Sequence, residues 1–98
     1  MPQMLINYYQ AIEDSSVKML EAAKMEDWDG VMRFEGVCAV LIEQLRERAK
    51  SEELDALTRS EKTKIMRRIL ENDAQIRYLA EPWVQHVENS LTTQQYLH

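Results

Sequence analysis

Met19-Leu20-Glu21-Ala22-Ala23-Lys24-Met25-Glu26-Asp27-Trp28-Asp29 is a stretch in which one helix ends and another begins. Up to Met25 the residues are good helix formers with little side-chain entropy to lose. Asp27 then has the chemistry of an N-cap, since its carboxylate can accept from the free N–H groups of a following first turn. Asp29 follows where a negative charge suits the positive end of a helix dipole. A connection of two or three residues leaves no room for a crossover, so the two helices must be antiparallel neighbours. Reading outward from this corner gives the fold.

Towards the N-terminus, Leu5, Tyr8, Tyr9, Ile12, Ser16, Met19 and Ala23 recur at helical spacing and mark the inner stripe of a first helix, about residues 3–25. Pro2 suits its first turn, where a missing N–H costs nothing. Towards the C-terminus, Trp28, Val31, Phe34, Cys38, Leu41, Leu45 and Ala49 form the stripe of a second helix, about residues 27–50. Ser51 to Leu57 reads as a loop. Thr58-Arg59-Ser60-Glu61 has capping-box spacing, which predicts a third helix from about residue 59. Its stripe is Ile65, Ile69, Ile76, Leu79, Trp83 and Val87. Pro82 removes a backbone donor and crowds the turn before it. Because the stripe keeps phase across it, a kinked continuation to about Leu91 is favoured over a stop, giving segments 59–81 and 82–91 and a tail over 92–98. The expectation is one all-α domain over 1–98, a helical hairpin plus a long third helix, in a bundle of three helices, or four if Pro82 breaks the last.

Composition excludes several functions. The 98 residues carry a formal net charge of −5, contrary to the basic surface that non-specific nucleic-acid binding needs. Charge is uneven: Arg46 to Arg68 holds eight Lys/Arg against five Asp/Glu, net +3, so the remainder carries −8. Cys38 is the single cysteine and cannot form an internal disulfide, which fits a reducing compartment. The N-terminus shows no secretory signal pattern. The longest apolar run, Val37 to Ile42, is too short to cross a bilayer. A soluble, cytoplasmic protein without membrane or nucleic-acid partners is expected.

Chemistry is scarce. His86 has no second metal ligand at suitable spacing, Gly30 and Gly36 stand alone within a helix, and Cys38 lies on an apolar stripe without a neighbouring base. The acidic pairs Glu13/Asp14, Glu26/Asp27 and Glu52/Glu53 suit solvated surfaces and helix ends. A small helical enzyme of the chorismate-mutase kind needs basic groups inside the bundle, whereas Arg33, Arg46 and Arg68 lie off the central stripes. No catalytic residue, metal or cofactor is expected.

Surplus apolar surface is the remaining signal. Val37-Cys38-Ala39-Val40-Leu41-Ile42 is apolar all round the second helix, with Val37 about 100° from Cys38 and Val40 pointing well away from it. On the third helix, Met66, Leu70 and Val84 form a shoulder about 80° from the main stripe. These flanks serve either as a wide core, as a homodimer seam, or as a groove for a partner's amphipathic helix.

The corner from Met19 to Asp29 resembles that of FliT-type flagellar export chaperones, which typically show a Leu-Leu-Glu-Ala-Ala-like run, then an acidic residue, Trp and Asp. Ile69-Leu70-Glu71-Asn72-Asp73-Ala74-Gln75-Ile76-Arg77 and Glu81-Pro82-Trp83 are similar to that family's third helix, and the resemblance covers about residues 5–91. Tetratricopeptide corners share such a Trp, but no 34-residue repeat is present. The resemblance implies a type III secretion chaperone that binds the C-terminal helix of the filament cap protein in the cytoplasm, prevents its premature self-association and delivers it to the export ATPase complex. It implies no cofactor and no catalysis. Val37, Val40, Met66, Leu70, Arg77 and Val84 are the expected partner-binding residues. Some members also bind the flagellar master transcriptional regulator. Enterobacterial members carry a further C-terminal helix over the binding surface, whereas here only Thr92–His98 follows Leu91, so the resemblance does not carry autoinhibition or regulator binding over to this sequence. A transcriptional anti-activator and a homodimeric structural bundle are the alternative readings.

Overall fold

The computed structural model describes the backbone of residues 4–96, and side chains through Pro82 together with Gln85. It contains α1 (Leu5–Lys24), α2 (Trp28–Ala49) and α3 (Ala56–Tyr96), with no strand among the described residues. The fold is all-α, as the periodicity predicts.

The corner forms by local chemistry. Asp27 N–H donates to the Ala22 carbonyl at 2.9 Å and Glu26 N–H to that of Ala23 at 3.1 Å, which satisfies two carbonyls left free at the end of α1. This Schellman-type ending puts Glu26 at φ 59°, where glycine is the usual occupant. Asp27 then caps α2 by accepting from Gly30 N–H at 3.0 Å. Gly30 is buried there: a Cβ on it would overlap the Asp27 carboxylate and meet Ala22 Cβ at 3.3 Å.

At the opposite end, Leu5 N–H, the first of α1, donates to Glu52 Oε2 at 2.8 Å, and Glu52 also accepts from Arg48 Nε at 2.9 Å. One carboxylate thus joins the start of α1 to the end of α2, so the hairpin is antiparallel and closed at its open end. α3 is capped by Asp55, not by the Thr58 box: Asp55 Oδ1 accepts from Thr58 N–H and from Thr58 Oγ1, both at 2.8 Å. Asp is as good a cap as Thr, and capping at Asp55 adds Ala56, Leu57 and Thr58 to the helix, which therefore begins three residues earlier than the sequence predicts.

α3 runs parallel to α1. The Lys62 ammonium lies 5.4 Å from the Tyr9 ring centre, Arg68 pairs with Glu13, Asn72 Nδ2 donates to Ser16 Oγ at 3.0 Å, and Ile76 packs on Leu20 and Ala23. Ser16, a polar residue on an apolar stripe, is accounted for by that bond and by its own donation to the Glu13 carbonyl at 2.7 Å. The core is Leu5, Ile12, Leu20, Ala22, Ala23, Ile65 and Ile76, all on α1 or α3.

Two sequence expectations need correction. α3 continues through Pro82, the alternative the sequence favours, but it runs on to Tyr96 and does not end near Leu91, so residues 92–96 are helical and not a tail. At about 1.5 Å per residue, its 41 residues account for the molecule's 58 Å length. The α2 stripe is half-buried where burial is expected, and Ala49 is exposed, because among the described residues α2 packs on α1 alone. Pro2 and the side chains of Trp83, Val84, His86 and Val87 lie outside the described residues.

Candidate functional site

α1 is the central helix: α2 and α3 each pack on it, but among the described residues they do not pack on one another. Their separation leaves an open channel along α1 with a volume of about 470 Å³. Ile12, Ser16 and Met19 form its floor. Trp28, Val31, Met32, Glu35, Cys38 and Ile42 form the α2 wall, a row at helical spacing along about four turns, roughly 20 Å. Ile69, Leu70, Asp73, Ile76, Arg77 and Ala80 form the α3 wall. The lining is mostly apolar. Arg77 Nε and Asp73 Oδ2 pair at 2.9 Å on the α3 side. Burial and the nearby Glu35 charge push the Cys38 thiol above its usual range. Cys38 is half-buried in the groove wall, and both effects disfavour its reactive thiolate form.

The structure brings two of the expected binding residues together. Leu70, 62 % exposed, and Arg77 stand in the α3 wall. Met66 lies by helical phase on the same face, one turn nearer the start of α3. Val84 lies outside the described side chains. Val37 and Val40 are exposed but sit about 150° round α2 from the centre of the groove-lining row, on the helix's other flank. The groove residues that sequence reasoning missed are the α1 floor and Trp28, Met32, Glu35 and Ile42 as one row. That row was detectable as a repeat beside the Cys38 stripe, but nothing in one dimension shows on which side of α2 the third helix lies.

Among the described residues no group of three or more His, Cys, Asp or Glu side chains could hold a metal ion, and no helix is long and apolar enough to cross a membrane. What the surface offers is an open, mostly apolar channel with a few charges in its walls. The sequence model of the family described as flagellar protein FliT matches residues 6–95. A comparison with curated proteins gave no match. Among solved structures, the crystal structure of flagellar protein FliT from Bordetella bronchiseptica superposes with a TM-score of 0.75 at 35 % identity, covering 88 % of this chain and 98 % of that one. The chain belongs to the FliT family of flagellar proteins.

Proposed function

We propose that the protein is a flagellar type III export chaperone that holds the amphipathic C-terminal helix of the filament cap protein in the channel between α2 and α3. In this reading it acts in the cytoplasm, hides the apolar face through which that helix would self-associate, and delivers its cargo to the export ATPase complex without a cofactor. The observation that supports it is the open apolar channel along α1, where α2 and α3 leave space for a fourth helix. Helix-in-groove recognition uses anchors at i, i+3/i+4 and i+7, and four turns of wall suit such a row.

The energetics are adequate and modest. Each large apolar anchor transferred from water contributes about 1.5–3 kcal/mol. Micromolar binding needs about 8 kcal/mol net, after several kcal/mol spent ordering the cargo. Four or five anchors meet that, which leaves an affinity compatible with release at the export gate. Calorimetric titration with a purified C-terminal fragment of the cap protein should give a one-to-one complex at micromolar affinity or tighter, with a negative heat-capacity change. A fragment that does not bind the folded wild type would end this reading.

A further inference from the structure

Three charged side chains stand in the walls of the groove, Glu35 on α2 and Asp73 and Arg77 on α3. Asp73 and Arg77 neutralise one another. Glu35 has no such partner: none of the ion pairs or hydrogen bonds among the described residues includes it. In the open groove, water solvates its carboxylate. A helix laid along α1 would displace that water, and a carboxylate enclosed beside Cys38 and Ile42 without a counter-charge would oppose binding. An apolar or acidic flank on the incoming helix would leave Glu35 unpaired or repelled. A long basic side chain can lie its methylenes along the apolar wall and bring its charge to the carboxylate.

We infer that the groove selects an amphipathic helix with a Lys or Arg beside its apolar stripe, on the side facing α2, and that Glu35 is the specificity-determining residue that pairs with it. This rests on the groove being the cargo site. The apolar walls supply affinity, while the lone carboxylate sets the rotation and direction of the bound helix and rejects acidic competitors.

The test is a set of double-mutant cycles on the full chain. Each Lys and Arg of a cap-protein C-terminal fragment is replaced singly by Gln and titrated against wild type and Glu35→Gln. Glu35 is exposed and its carboxylate has no hydrogen bond or ion pair among the described residues, so circular dichroism should show that the variant remains helical. One basic position should lose about tenfold in affinity with wild type and less than about twofold with Glu35→Gln. Glu35→Lys should weaken the unmodified fragment further and be rescued by Glu at that same position. Couplings all within about twofold, in a fragment whose binding Leu70→Glu abolishes, would overturn the role of Glu35 and leave the groove standing. Tight binding by a fragment with no basic residue would do the same. No binding to wild type at all would remove the groove reading, and this inference with it.

Discussion

Glu26 occupies a left-handed backbone position at the hairpin corner with φ 59°, although its side chain gains nothing from being there that glycine would lack in backbone terms. For an L-residue this conformation costs roughly 1–2 kcal/mol, against about 0.5–1 kcal/mol of extra unfolded-state entropy carried by glycine. Glu26→Gly should therefore raise stability by about 0.5–1 kcal/mol, measured by urea denaturation. A clear loss would mean that the Glu26 side chain holds the corner against the neighbouring Tyr78, Leu79 and Pro82. Residue-level signals are also where the sequence was most legible. Asp27 was readable as a cap because capping depends on three adjacent residues, and the structure places its carboxylate on Gly30 N–H. The start of α3 was misread for a related reason: Thr58 and Glu61 imitate a capping box, while Asp55, three residues earlier, offers the same geometry with a charged acceptor.

Helix ends carry the pH dependence of the fold. Glu52 has its carboxyl held below the ordinary range by the Leu5 N–H bond first, against some desolvation, with Arg48 assisting. Asp55 is lowered chiefly by its bond from Thr58 N–H, then by the Thr58 hydroxyl. Both depressed values favour the folded state when the carboxylates are ionised. That contribution is fully present above the unfolded values, about 4.3 for Glu and 3.9 for Asp, and is lost as pH falls through the lower folded ones. Glu52→Gln should lower the thermal midpoint at neutral pH and reduce the further drop on acidification. Parallel midpoint-against-pH curves for variant and wild type would show that the Leu5–Glu52 bond does not hold the open end together. The inner faces of α1 and α3 are a separate matter of packing. Ile76→Ala, in the cluster with Leu20 and Ala23, should cost about 2–5 kcal/mol because it leaves a cavity in a small core. A loss below about 1 kcal/mol would mean that the site collapses and the cluster is not the core.

The molecule is defined by what α2 and α3 leave between them. Individual helices follow from periodicity, and the hairpin follows from its short turn. Whether the second and third helices meet is a tertiary outcome that no spacing records. For that reason the apolar run from Val37 to Ile42 pointed to surplus surface without showing which flank faces the channel. Ile42 and Cys38 line it, and Val37 and Val40 face the other way. The α3 shoulder was easier to place, since one helix packed by one face on α1 exposes a predictable neighbouring row containing Leu70. The same substitution on the two flanks separates channel from opposite surface most directly: Leu70→Glu and Val40→Glu, at positions 62 % and 58 % exposed, each titrated with the cap-protein C-terminal fragment after circular dichroism confirms the fold. A charge buried unpaired in a binding groove is costly, whereas on a free surface it stays hydrated. A channel that holds the cargo predicts at least about a tenfold loss of affinity for Leu70→Glu and a change within about twofold for Val40→Glu. Undiminished binding by folded Leu70→Glu, with the loss falling on Val40→Glu instead, would contradict it and move the cargo to the outer flank of α2.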